Sequence, residues 1–368
     1  MAKQAYVYSG TDWVPLASEV TNLTAYQTKA LNQFPNRNLI INGAMQVAQR
    51  GTSTASITTE GYRTVDRFGF NINTMGTYTM SQENDAPTGS GFRKSTKLLC
   101  TTADASPAAD DYLFLYQALE GQNLQQVKKG TAAAEQLTLS FWVKANATGT
   151  YVVEFFDVDN TRSVSKSYTI NASGVWEYKT ITIPADTTGA FDNDNNNSFQ
   201  LNWWLGVGSS RNSGTLQTTW GSRTTANLAV GQTNLSAATS NYWQITGVQL
   251  EVGDTATPFE FKPYAQDLAE CQRYLPAVYG LNGLGYSTTA NLVRFPAYFV
   301  TEARVEPTGV TATAGDFSIV NVGTPTATAF RHASKNSCTI DFTYTGITTG
   351  VAYYIQGGGK ILFTGCEL

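Results

Sequence analysis

Between about Asn36 and Tyr264 the sequence breaks into short runs of alternating apolar and polar residues, separated by stretches rich in Asn, Asp and Gly. Alternation is clearest in Leu137 to Val143, Tyr151 to Phe156, Trp176 to Ile183, Phe199 to Val207 and Tyr242 to Glu251. Turn-rich segments lie between them: Asn146-Ala-Thr-Gly149, Asn171-Ala-Ser-Gly174 and the Asp192 to Asn197 run. A period of two puts successive side chains on opposite faces of an extended strand, which a helix cannot bury. Short strands at close spacing predict an all-β protein built on a jelly-roll β-sandwich. Tyr112 to Val127 reads either as a loop helix or as another strand.

Composition narrows the partners. Charged residues make up only 14%, against about 25% in an average soluble domain. Lys plus Arg is 24 and Asp plus Glu 28, so 24 − 28 leaves a net charge of −4. That balance offers no footprint for phosphate backbones, and nucleic acid is not expected as a partner. Apolar runs such as Tyr112 to Tyr116 fall far short of the ~20 residues of a membrane helix, so no membrane insertion is expected. The opening MAKQAYVYSG has no apolar export signal. Cys100, Cys271, Cys338 and Cys366 lie far apart without a CxxC pair, as free thiols of a protein made in a reducing cytoplasm would.

Five segments follow from these patterns. In residues 1–17, Tyr6, Tyr8 and Trp13 flank Ser9-Gly10-Thr11-Asp12, which reads as a small hairpin or extended plug that docks elsewhere through its aromatics. Residues 18–35 read as a short helix capped by Ser18 and closed by Pro35. Val20, Leu23, Ala30 and Phe34 fit a and d positions with Gln27 intruding, which suits either a brief bundle in an oligomer or a plain linker helix. Residues 36–264 form the sandwich. In the connecting segment 265–279, Leu268, Cys271 and Leu275 share a helical face. Residues 280–368 read as a smaller β domain with a hairpin tip at Gly357-Gly-Gly359.

Chemistry-bearing motifs are sparse. Gly359-Lys360 lacks the rest of a phosphate-binding loop, and no GxSxG elbow occurs. With a single histidine, a Ser–His–Asp triad could be built only on His332, in the loop-like stretch Arg331-His332-Ala333-Ser334. Asp192-Asn-Asp194-Asn-Asn196 and Asp157-Val-Asp159-Asn160 have the alternating oxygens of calcium loops but not the spacing of an EF-hand. No cofactor is expected; structural Ca²⁺ in the sandwich loops is the one metal expectation. Glu154, on the apolar strand Val-Val-Glu-Phe-Phe, is the one acid to inspect for glycoside chemistry, with a carboxylate on a wet sheet face as the plain reading.

The aromatic and amide faces carry the functional reading. In Phe199 to Val207, Phe199, Leu201, Trp203, Leu205 and Val207 share one face and Gln200, Asn202, Trp204 and Gly206 the other. In Leu137 to Val143 the second face is Thr138, Ser140 and Trp142. An indole among amides and hydroxyls suits a sugar: the ring stacks on the C–H face of a pyranose and the amides bond its hydroxyls. Trp204, Asn202, Gln200 and Trp142 are therefore the candidate glycan-binding residues. The same pattern suits a face covered by a loop or a neighbouring subunit.

The run Asn38-Leu-Ile-Ile-Asn-Gly-Ala-Met-Gln-Val-Ala-Gln-Arg-Gly51 with Tyr62-Arg-Thr-Val-Asp-Arg-Phe68 resembles the opening of a β-sandwich domain of phage tail fibres. LTLSFWVK (137–144) and Trp176 to Pro184 resemble its middle strands. Ile245 to Gly253, Ala256-Thr-Pro-Phe-Glu260 and Glu270-Cys-Gln-Arg-Tyr274 resemble its closing strand and exit helix. YSGTDWVPLAS is similar to the tags that open fibre proteins of marine phages. The resemblance implies a homotrimeric virion appendage, made in the host cytoplasm, with a jelly roll similar to carbohydrate-binding modules. It implies partners in other virion proteins, through Tyr6, Tyr8 and Trp13, and in a host-surface glycan or receptor. It supplies no catalytic residues, and the expectation is a binding protein rather than an enzyme. A purely structural virion component is the alternative; a glycan depolymerase is a third reading, which needs two free carboxylates in a groove.

Overall fold

A computed structural model describes residues 6–8, 13–15 and 36–368. Tyr6–Tyr8 and Trp13–Pro15 pair antiparallel, Tyr6 opposite Pro15 and Tyr8 opposite Trp13. The helix expected over 18–35 lies outside the described residues.

Residues 53–252 build a sandwich of two antiparallel sheets. The front sheet runs Gly221–Ser222, Arg162–Ile170, Gly149–Asp157, Asn197–Val207, Tyr112–Glu120, Gly69–Asn73, Gly61–Tyr62. The back sheet runs Glu177–Ile183, Leu137–Ala145, Tyr242–Val252, Ser95–Thr102, Thr77–Glu83, Ser53–Ile57. Strand neighbours in both sheets are mostly distant in sequence, as a jelly roll requires. The period-two faces meet between the sheets: Leu201, Trp203 and Leu205 from the front sheet, Leu139, Phe141 and Val143 from the back sheet. Trp203 lies 6.2 Å from Phe141 and 6.3 Å from Phe68, in the tilted and edge-on arrangements that aromatic rings favour. Tyr112 to Val127 is a strand as far as Glu120, followed by two 3₁₀ turns.

The helix Tyr264–Gln272 leads into the second β domain and buries Cys271. That domain is one antiparallel sheet in the order Gly309–Ala312, Ala352–Thr364, Ala277–Thr289, Leu292–Tyr298, Ser337–Thr343, Ala327–Ala333, with Phe317–Ile319 also paired to Ala352–Thr364. Two expectations change here. Gly357 to Gly359 is no hairpin tip; it lies inside the continuous strand Ala352–Thr364. Glycine is required because the neighbouring segment crosses at backbone distance: a Cβ on Gly357 would stand 2.2 Å from the Asp316 carbonyl oxygen, and one on Gly359 2.3 Å from the Asp316 Cβ. His332 is not in a loop but at a bulge in the strand Ala327–Ala333.

The two domains are sewn together at both ends of the second. Arg273 donates two hydrogen bonds to Glu120, at 2.7 and 2.8 Å. Cys366 to Leu368 return to the sandwich, where Glu367 pairs with Arg50 at 2.9 Å and with the fully buried Arg67 at 2.8 Å. Arg67 stacks on Tyr274, 3.4 Å from its ring centroid. Arg304 donates to the Asn195, Cys366 and Glu367 carbonyls. All four cysteines are free and buried. No helix among the described residues is long and apolar enough to cross a membrane.

Candidate functional site

The outward face of the front sheet is assembled in rows. Register places Val152, Trp204 and Phe114 side by side, then Glu154, Asn202 and Tyr116, then Phe156, Gln200 and Ala118. The face therefore divides into an apolar row and a polar one, followed by a mixed row.

The apolar row is closed. The segment 208–232 crosses it, seating Leu216, Leu228 and Ala229 on Trp204, Phe114 and Val152. It is pinned at several points: Ser165 donates to the Leu228 carbonyl at 2.8 Å, Gln217 to the Ser163 carbonyl at 2.8 Å, and the Val152 N–H to Gln232 at 2.8 Å. Trp204 is 1% exposed, and Phe114 covers it at 4.8 Å. The sugar platform expected at Trp204 is thus corrected: its indole is a packing residue with no open face. Trp142 stands elsewhere, half-buried and apart from the other three candidates. It lies on the outer face of the back sheet, against Tyr178 at 5.2 Å, on the far side of the core from Asn202.

Gln200 and Asn202 do come together, in a continuous hydrogen-bonded line. Asn197 donates to Gln200 at 3.2 Å, Gln200 to Asn202 at 2.6 Å, and Asn202 to Glu154 at 3.0 Å. Arg223 closes the line with two bonds to Glu154, at 2.6 and 3.1 Å, its guanidinium 4.3 Å from the Phe156 ring centroid. Glu154 is fully buried beneath this pair, not on a wet face. Asn202 is buried too, so it orients its neighbours. Gln200, Phe156, Tyr116 and Arg223 remain half-buried and form the open part of the face. An amide has two donors and two lone pairs. Gln200 spends one N–H on Asn202 and accepts one bond from Asn197, leaving capacity toward solvent.

The calcium expectation meets a built-in cation. Lys129 Nζ lies 2.5 Å from Asp157 Oδ2, 3.0 Å from Asp186 Oδ2, and 2.9 and 2.8 Å from the Thr188 and Gly189 carbonyl oxygens. Burial raises the Asp186 carboxyl, but hydrogen bonds from Arg162 and Lys129 outweigh it and hold it below the usual range. Asp159 accepts the Asp192 N–H at 2.9 Å. Among the described residues no cluster of His, Cys, Asp or Glu is placed to hold a metal. Sequence reasoning missed Arg223 and Phe156: Arg223 sits 69 residues from Glu154, in a turn-rich stretch with no periodicity.

No protein-family model matches the chain, and no curated protein matches it in sequence. Solved structures similar to it include the enzymatically active domain of tailspike protein 4 of bacteriophage CBA120, at 15% identity and a TM-score of 0.33 over 60% of this chain. The chain spans 22% of that tailspike domain's length. Also similar are TmCBM61 in complex with β-1,4-galactotriose, at 8% identity and TM-score 0.29 over 59% of this chain and 99% of that one, and the family 11 carbohydrate-binding module of Clostridium thermocellum, at 10% identity and TM-score 0.28 over 56% and 98%.

Proposed function

We propose that the chain is a non-enzymatic binding protein of a phage virion appendage, and that it takes a host-surface glycan on the half-open outer face of its front sheet. The observation that carries this reading is the line Asn197–Gln200–Asn202–Glu154–Arg223 beside the half-buried rings of Phe156 and Tyr116. Fixed amides next to an aromatic edge bind a sugar at low ordering cost, because their geometry is set before the ligand arrives. The acid singled out for glycoside chemistry is already engaged. Glu154 is fully buried and accepts two bonds from Arg223, which ties it into the face as a structural anchor. The virion setting, the homotrimer and docking by Tyr6, Tyr8 and Trp13 rest on the sequence resemblance, and the antiparallel pair around Ser9 to Asp12 fits a short docking hairpin. Binding of wild-type protein, Gln200→Ala and Phe156→Ala to host-surface polysaccharide tests the reading. A loss of tenfold or more in either variant, with unchanged melting, supports it; wild-type affinity in both refutes it.

A further inference from the structure

We infer a second ligand site, in the C-terminal domain, for an acidic sugar residue; the choice of a sugar among compact anions rests on the glycan reading above. The geometry starts from a break inside the sheet. Ala277–Thr289 and Leu292–Tyr298 are central neighbours, yet their ladder ends at Tyr286 opposite Arg294. Both strands continue past that point. One stays paired with Ala352–Thr364 as far as Ala277, the other with Ser337–Thr343 as far as Tyr298. Pro296, which has no N–H to offer a ladder, stands two residues beyond the break. A cleft of about 430 Å³ lies there, lined by Leu284 and Tyr286 from one strand and by Arg294 and Pro296 from the other. That size falls within the usual range of small-ligand sites, roughly 300–1,000 Å³.

Two features set this cleft apart from a wet sheet face. First, its walls are apolar and uncovered. Leu284 is 65% and Tyr286 55% exposed, and Pro296 and Ala352 are exposed with them. Outward positions of such a sheet are ordinarily polar, and large apolar side chains grouped there mark a surface that binds something. Second, the charge does not balance. Register carries Tyr286, Arg294 and Asp341 across three strands on one face. Arg294 gives Asp341 two bonds, at 2.8 and 3.1 Å, and Arg331 on the adjoining edge strand reaches the same carboxylate at 3.4 Å. Two guanidiniums therefore share one carboxylate. The Asp341 side chain is 6% exposed and the arginines 31% and 51%, so the face shows solvent its cations. Among the described residues no acid lines the cleft itself. An acidic pyranose matches both features. Its C–H face lies against Leu284, Tyr286 and Pro296, and its carboxylate accepts from the arginine N–H groups that Asp341 leaves over, five donors being available on each guanidinium.

The test uses the full chain with trigalacturonate, trimannuronate and 3′-sialyllactose, each beside its carboxyl-reduced counterpart, and hexaglutamate as an acidic peptide. Titration calorimetry and saturation-transfer NMR read binding at low and high salt. Arg331→Gln removes the more exposed cation and leaves the Arg294–Asp341 pair; Ala352→Trp fills the cleft from an exposed position. At least one acidic sugar should bind, fivefold or more tighter than its reduced form at low salt, with a preference that shrinks in high salt. Arg331→Gln should abolish that preference and Ala352→Trp should weaken binding tenfold or more, both with wild-type melting. Binding of no acidic sugar, equal binding of the reduced forms, indifference to both variants, or hexaglutamate bound as tightly through Arg331 overturns the site. Failure of the glycan reading is seen separately, in host-polysaccharide binding by Gln200→Ala and Phe156→Ala, neither of which lines this cleft.

Discussion

Lys129→Met removes the ammonium from the oxygen cage and keeps most of the side-chain volume. In the native protein the lysine side chain is 2% exposed and its partners Asp157 and Asp186 are 0% and 5% exposed. After the change Asp186 still holds the Arg162 guanidinium, at 2.9 and 3.0 Å. Asp157 keeps only bonds from Asn160, an uncharged donor. Breaking a buried pair from one side costs about 3–5 kcal/mol, because the remaining charge stays desolvated without compensation. At about 2–4 °C per kcal/mol for a domain of this size, the sandwich should melt ~6–20 °C lower. Near-UV circular dichroism at pH 7 follows the transition through the buried Trp203, Trp204 and Trp243. Adding Asp157→Asn to the variant removes the stranded charge and should recover at least half of the loss. Acid sharpens the test. The depressed Asp186 carboxyl contributes stability that is present above its unfolded value of ~3.9 and lost as pH falls through its lower native value. The wild type should therefore lose stability more steeply than Lys129→Met as pH falls from ~3.9 toward that native value. A variant melting within about 2 °C of wild type, or a double variant with no recovery, would refute the electrostatic account of the cage.

Three other outcomes follow from the structure. Trp204→Ala should cost about 3–5 kcal/mol and open the 208–232 segment to limited proteolysis; wild-type melting and cleavage would mean the indole is not packed as described. Burial pushes Asp66 and Asp267 up to about 6, against the pull of Arg50 and Lys262. Their protonated forms favour the native state, a contribution complete below ~3.9 and lost as pH rises through about 6. Urea midpoints of the wild type should include that decline between pH 4.5 and 7, and Asp66→Asn with Asp267→Asn should remove it. Glu367→Gln leaves the buried Arg67 with the Ala118 carbonyl and the Tyr274 ring. Amide exchange in Cys366 to Leu368 should then quicken at least tenfold, and an unchanged rate would mean this ion pair does not hold the junction.

Local pattern carried the strands and failed at their long-range cover. The parity of Phe199 to Val207 separates Trp203, in the core, from Trp204 on the outer face, and the structure keeps that division. What lies over Trp204 is decided by Leu216, Leu228 and Ala229, in a segment with no periodicity to read. Trp142 and Trp204 look alike in sequence because each stands among hydroxyls or amides. Assignment of a strand to one sheet or the other is set by pairing partners far along the chain. The acids taught the same lesson, since Glu154 and Asp157 depend on Arg223 and Lys129, 69 and 28 residues away. Gly357 to Gly359 misled by composition: glycine commonly marks a turn, but here it makes room for Asp316.

The attachment of the second domain at both its entry and its exit has a mechanical consequence. Arg273 anchors the incoming chain to Glu120, and Glu367 anchors the outgoing chain to Arg50 and Arg67. A tug on the outer face is thus divided between two tethers and passes into Ala277–Thr289 and Ala352–Thr364, which pair antiparallel from Ala277 to Tyr286. Ladder bonds run perpendicular to the strands. Because Ala277 lies opposite Leu362, both tethers hold the same end of this pair, so a pull on its far end loads the two strands together, where a single tether would have passed the load from one strand to the other through the rungs.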